Sequence, residues 1–153
     1  MVITLIKLRH VGIYVRDIKR EKIFYKQVFD MCEICVEVKQ TDALIDDLLS
    51  VHETVKITKL ITEQGKVNGE GDMIELVQYT NSPENDSLNC PIYKPGVIHI
   101  GFGIDDMDKV LSRIKELGGK QKTPVHVMEN GNKCCFCQDP EGVWIELIER
   151  RSL

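Results

Sequence analysis

The sequence predicts an α+β fold: two βαβββ modules forming a curved mixed sheet. Three observations carry the prediction. A strand, a helix and three further strand-like runs occur in that order twice along 153 residues. The apolar periodicity breaks between the copies, at Asn81 to Gly96, where Pro83, Pro91 and Pro95 accumulate. When the copies are aligned, Arg9-His10-Val-Gly-Ile-Tyr-Val15 falls on Ile98-His99-Ile-Gly-Phe-Gly-Ile104, and Met73-Ile-Glu75-Leu-Val77 falls on Trp144-Ile-Glu146-Leu-Ile148. The expected organisation is a first module at 1–82, a linker at 83–95 and a second module at 96–153.

Leu8 to Val15 reads as the first strand. Asp17 then caps a helix from Ile18 to Phe29, with Phe24, Val28 and Met31 on its buried face. Strands are expected at about 33–39, 54–63 and 72–79. Gln40 to His52 reads as an insertion with a short amphipathic helix around Leu44, Leu48 and Leu49. In the second copy the strand 97–104 leads to Asp106 as cap and a helix from Met107 to Leu117. Val110, Leu111, Ile114 and Leu117 face inward, and Gly118-Gly119 stop the helix. Strands at 121–127, 132–138 and 143–150 follow, the last two joined by a turn at Asp139-Pro-Glu-Gly142.

Composition narrows the function classes. Twenty basic against 24 acidic residues give a net charge of −4, with no basic field to gather nucleic acid or anionic lipid. The opening MVITLIKLRH, interrupted by Lys7 and Arg9, does not read as a signal peptide or a membrane span. A cytoplasmic protein acting on a small molecule is the expectation. Cys32-x-x-Cys35 has the spacing of half a zinc ribbon but lacks a second half, so the six cysteines read as reduced thiols serving as small hydrophobes.

Strand parity points to a site. Val11, Ile13 and Val15 must pack under the helix, which leaves His10 and Gly12 on the opposite face. Ile74, Leu76, Ile145 and Leu147 take the helix side in the same way, so Glu75 and Glu146 share a face with His10 and His99. That face is concave in a sheet curving away from its helices, and Gly101 and Gly103 leave room beside His99 for something other than a side chain. Carboxylates flanked by Ile, Leu and Trp are costly to bury unpaired. A divalent cation relieves that cost: two imidazoles and two carboxylates make a neutral N2O2 set with open positions, suited to Ni, Zn, Co or Mn. The concave face is therefore expected to be a metal-binding cleft, with His10, Glu75, His99 and Glu146 as ligands.

These residues, with Leu8-Arg-His10-Val-Gly-Ile, Ile74-Glu75-Leu, His99-Ile-Gly-Phe and Asp139-Pro-Glu-Gly-Val-Trp-Ile-Glu146-Leu-Ile, resemble the vicinal oxygen chelate superfamily. That superfamily includes glyoxalase I, methylmalonyl-CoA epimerase, fosfomycin-resistance thiol transferases, bleomycin-resistance proteins and extradiol dioxygenases. The ligand order looks most like bacterial glyoxalase I (lactoylglutathione lyase). The resemblance implies a metal-dependent lyase, commonly a homodimer, that moves a proton on an α-hydroxycarbonyl thiol adduct via an ene-diolate. It makes Glu146 the base and Glu75 the second carboxylate. A related epimerase or dioxygenase, and a non-catalytic bleomycin-resistance-like binding protein, are the alternatives. Where glyoxalase I carries an Arg and an Asn that grip glutathione, this chain has Tyr14 and Tyr79, which lie on the ligand face by parity and are expected to line the substrate pocket.

Overall fold

The computed structural model describes residues 7–40, 44, 47–48, 54–80 and 90–150, the side chains of 36–40 excepted. The chain divides into two compact units, Met1–Ser82 and Pro83–Leu153. In the first, β1 (Val11–Tyr14), α1 (Ile18–Val28), β2 (Cys32–Gln40), β3 (Val55–Ile61), α2 (Glu63–Asn68) and β4 (Met73–Tyr79) follow in order. The second contains β5 (His99–Ile104), α3 (Met107–Glu116), β6 (Lys120–Gln121), β7 (His126–Val127), β8 (Lys133–Gln138) and β9 (Trp144–Glu149). Among the described residues no helix is long and apolar enough to cross a membrane.

Each unit holds a mixed sheet in which the first strand pairs in parallel with the last. The orders are β1-β4-β3-β2 and β5-β9-β8-β6, with β7 also on β8. The registers repeat: Gly12 lies opposite Glu75, and Gly101 opposite Glu146. The expected α+β fold of two βαβββ modules is thus present as two mixed sheets.

The helix side of each sheet is the core. Ile13, Val15, Leu60, Ile74 and Leu76 lie under Ile18, Phe24, Tyr25 and Val28 of α1, and all are buried. Ile145, Leu147, Cys135 and Cys137 are buried on the sheet of the second unit, with Met107, Val110 and Ile114 on α3; Leu111 and Leu117 are half-buried. Burial of this apolar surface is the main driving force for each unit. The Cys137 thiol is pushed up to about 12, by burial first and then by Cys135, so it stays protonated and behaves as a hydrophobe. All six cysteines are free thiols.

Polar contacts dock α1 onto the sheet. Thr58 is buried on the helix side of β3; its hydroxyl lies 3.1 Å from Glu33 Oε1 and 3.0 Å from the Cys35 carbonyl oxygen, two acceptors that share its one hydrogen. Burial pushes the Glu33 carboxyl up, but hydrogen bonds from Lys22 and Thr58 and the charges of Lys22 and Lys26 outweigh it and leave the pKa lowered.

Turn chemistry follows the sequence closely at several points. Asp17 and Asp106 accept from the backbone N–H of Arg20 and Lys109, as caps should. Gly118 adopts φ +88°, and Gly119 N donates to Ile114 O at 2.8 Å to close α3. Asp139 is buried and accepts from Glu141 N and Val143 N.

Two expectations are corrected. The strand expected at 54–63 ends at Ile61, because Thr62 caps α2 by accepting from Gly65 N, and Gly69 ends that helix at φ +76°. The strand expected at 121–127 is two short ones. Lys122 N and Thr123 N both donate to Phe136 O, which is a bulge, and Pro124 has no N–H to continue the ladder. In the insertion, Leu44, Asp47 and Leu48 are helical, while Leu49 and the rest of that reading lie outside the described residues. Of the expected linker, Cys90 is tied to the second unit: Trp144 Nε1 donates to its carbonyl at 2.8 Å.

Candidate functional site

On the face of each sheet turned away from its helix, the open face, a histidine meets a glutamate. In the first unit, His10 precedes β1 and Glu75 lies on β4, with His10 Nε2 3.7 Å from Glu75 Oε1. In the second, His99 opens β5 and Glu146 lies on β9, with His99 Nε2 3.2 Å from Glu146 Oε2. The parity argument is the physical reason: Ile74, Leu76, Ile145 and Leu147 are drawn to the core, and the alternating glutamates are carried to the other side.

The neighbours of the two pairs differ. Antiparallel register puts Lys59 opposite Glu75, and Lys59 Nζ lies 3.0 Å from Glu75 Oε2. At the equivalent register in the second unit Phe136 stands opposite Glu146. Its ring meets His99 edge-on at 5.4 Å and Trp144 at 6.5 Å between centroids, and Lys122 Nζ sits 5.6 Å from the centre of the Trp144 ring. Sequence reasoning missed Lys59. Its signal was a lone charge in the row Val55, Ile57, Lys59, Ile61, whose other members are apolar.

Tyr14 and Tyr79 both reach the open face of the first unit and stack, 5.6 Å between centroids and 10° between planes. Val55, Val77 and Ile57 pack beside Tyr79. Burial, then the neighbouring Tyr14, push the Tyr79 hydroxyl above its ordinary range. Tyr14 remains 60% exposed, so this stacked pair presents a surface rather than filling the core. A Cβ at Gly12 or Gly103 would meet nothing within 4 Å, and one at Gly101 would make ordinary contacts with Glu146 Oε2 at 3.9 Å and Ile148 Cδ1 at 4.0 Å. The space expected above the glycines is open on each sheet.

Two light-atom ligands each about 2.1 Å from a tetrahedral cation lie about 3.4 Å apart. The His10–Glu75 and His99–Glu146 separations fall on either side of that value. Within the first pair, His10 Nδ1 is buried with no hydrogen-bond partner, and Nε2 points at a carboxylate beyond hydrogen-bond distance. Each pair therefore fits as a two-donor half of a cation site. Among the described residues, no group of three or more His, Cys, Asp or Glu is assembled to hold a metal; the four residues expected as one ligand set lie as two pairs, one per unit.

Duplicated βαβββ units, each with a first strand laid parallel to its last, define the class of fold. The sequence model of the Glyoxalase/Bleomycin resistance protein/Dioxygenase superfamily matches residues 7–147, and the chain belongs to that superfamily. Among solved structures, a glyoxalase family protein from Bacillus cereus is 20% identical over 97% of both chains, with a TM-score of 0.85. A glyoxylase/bleomycin resistance protein/dioxygenase domain from Frankia sp. is 18% identical over 97% of this chain and 100% of that one, at 0.65. A variant of the fosfomycin resistance protein FosX from Listeria monocytogenes, complexed with Mn(II) and 1S,2S-dihydroxypropylphosphonic acid, is 21% identical over 97% of this chain and 95% of that one, at 0.62. Curated protein sequences give no match.

Proposed function

We propose that the chain is a divalent-metal-dependent enzyme of glyoxalase I type, which moves a proton between neighbouring carbons of a small substrate carrying two adjacent oxygens. The observation that carries the reading is the repetition of one His–Glu pair at the same strand positions in both units, His10 with Glu75 and His99 with Glu146. In this reading each pair supplies two ligands to a cation. A bound divalent cation would supply Lewis-acid stabilisation of negative charge developing on the substrate oxygens.

Glu146 then acts as the base, taking the proton from one carbon and returning it to the next. His99 holds the carboxylate from one side, while Phe136 and Trp144 form an aromatic wall that limits water around it. Glu75 is the second carboxylate. Tyr14 and Tyr79 offer a flat aromatic surface in place of the charged grip glutathione would require, so the substrate's carrier portion is read as less polar than that peptide. The similarity to FosX, crystallised with Mn(II), supports a second reading as a resistance enzyme acting on a phosphonate.

The deciding experiment is metal analysis of the purified chain, followed by assays on the methylglyoxal–glutathione hemithioacetal and on fosfomycin. Stoichiometric cation lost in His10→Ala and His99→Ala, together with turnover of the hemithioacetal, is the expected result. Cation without hemithioacetal turnover rejects the glyoxalase reading and leaves the metal site standing. A chain that retains no added Mn²⁺, Co²⁺, Ni²⁺ or Zn²⁺ rejects both.

A further inference from the structure

Glu75 has two carboxylate oxygens, and the structure gives them different partners. Oε1 faces His10 Nε2 at 3.7 Å and Oε2 accepts from Lys59 Nζ at 3.0 Å. The contact is imposed by the sheet, since Lys59 and Glu75 are cross-strand neighbours in the β3–β4 ladder. The Lys59 side chain is 35% exposed and the Glu75 side chain 18%, so the ion pair sits where water is thinned but not excluded. Charge-assisted contacts of this kind are short and directional.

We infer that Lys59 is a positioning residue that fixes Glu75 as a one-oxygen donor, with Oε2 reserved for the ammonium. The inference rests on the cation reading above and deepens it. A carboxylate pinned at one oxygen cannot rotate to offer both to a cation, nor swing away to collect a proton, without first breaking the ion pair. Partners outside the ligand set orient ligands in metal sites generally. Glu146 has no lysine at the equivalent place: its cross-strand neighbour is the hydrocarbon ring of Phe136, and His99, whose Nε2 lies 3.2 Å from its Oε2, is its fellow ligand in the cation reading. With a cation bound, Glu75 would be the held carboxylate and Glu146 the one able to turn.

The test is the infrared difference spectrum of the full chain with and without Zn²⁺. One-oxygen carboxylate ligation separates the asymmetric and symmetric stretches more widely than two-oxygen ligation does. The Glu75 bands are those that disappear from the difference spectrum in Glu75→Gln recorded at a Zn²⁺ concentration that metal analysis shows to saturate the variant. In the wild type they should be widely split, in Lys59→Met the splitting should narrow, and in Lys59→Arg it should stay wide. A narrow splitting in the wild type overturns the inference without recourse to any lysine variant, and so does a splitting unchanged by Lys59→Met. If Zn²⁺ induces no band that Glu75→Gln removes, the cation reading for Glu75 fails and this inference falls with it.

Discussion

The two units put the same pair of residues at the same place and surround them differently. In the first, Glu75 has a lysine on one oxygen and a stacked tyrosine pair further along its strand. In the second, Glu146 has an aromatic ring as its cross-strand neighbour and a tryptophan beyond it. The helix-side residues, by contrast, correspond closely: Ile74 with Ile145 and Leu76 with Leu147, all buried. What the repeat holds in common is therefore the scaffold and the His–Glu pair, and what it varies is the surroundings of each carboxylate. Equivalent carboxylates acquire different surroundings through changes of cross-strand partner, without a change of strand order.

The largest effect expected from this asymmetry is on turnover. Glu146→Gln keeps the shape of the side chain but cannot accept a proton, and losing a general base costs about 10²–10⁴-fold. The hemithioacetal assay should show that loss with the cation still bound. Glu75→Gln should instead show its main defect in cation retention, read by metal analysis after dialysis. Equal behaviour of the two variants in both measurements would break the proposed division of labour.

The scaffold common to the two units predicts a smaller, symmetric effect. Leu76 and Leu147 are fully buried at equivalent positions. Truncating either to Ala leaves a cavity and costs about 2–5 kcal/mol. Urea unfolding of Leu76→Ala and Leu147→Ala should give losses of similar size. A loss in one several times larger than in the other would mean that the two cores are not packed alike.

Much of this was legible in the sequence because it depends on period alone. Alternation sets which face Ile74, Glu75, Ile145 and Glu146 occupy, and the helix caps at Asp17 and Asp106 are chemical signatures read from single residues. What was not legible needed register. Lys59 reaches Glu75 only because the β3–β4 ladder sets them opposite, and no spacing along the chain encodes that pairing. The split of 121–127 likewise depends on both Lys122 N and Thr123 N finding the Phe136 carbonyl. The helix Glu63–Asn68 was missed for a different reason: its six residues are too short for an apolar period, although Thr62 and Gly69 are an ordinary start and stop.

The finest contrast between the units lies at the N-termini of their first helices. The first N–H of α1, on Ile18, donates to the neutral amide oxygen of Gln78 at 3.1 Å. The first N–H of α3, on Met107, donates to the carboxylate of Glu149 at 2.7 Å. Gln78 and Glu149 occupy equivalent places in the last strand of each sheet, so, beside the aspartate cap that each helix has, the first N–H of one helix meets a neutral group and that of the other a charged one. An anion at a helix N-terminus is worth roughly 0.3–1 kcal/mol. The Glu149 pKa is lowered by its hydrogen bond from Lys133, then by that from Met107 N. A carboxyl whose folded pKa is depressed stabilises the fold above its unfolded pKa, about 4.3, and loses that contribution as pH falls through the folded value. Glu149→Gln gives the first N–H of α3 the neutral acceptor that the first N–H of α1 already has. The variant should be less stable than the wild type in urea at pH 7, and the gap should close as the pH is lowered below about 4. Gln78→Ala, which removes a neutral acceptor, should cost stability without that dependence. A Glu149→Gln gap that stays constant from pH 7 to 3 would show that the charge of Glu149, as distinct from its shape, contributes nothing to holding α3.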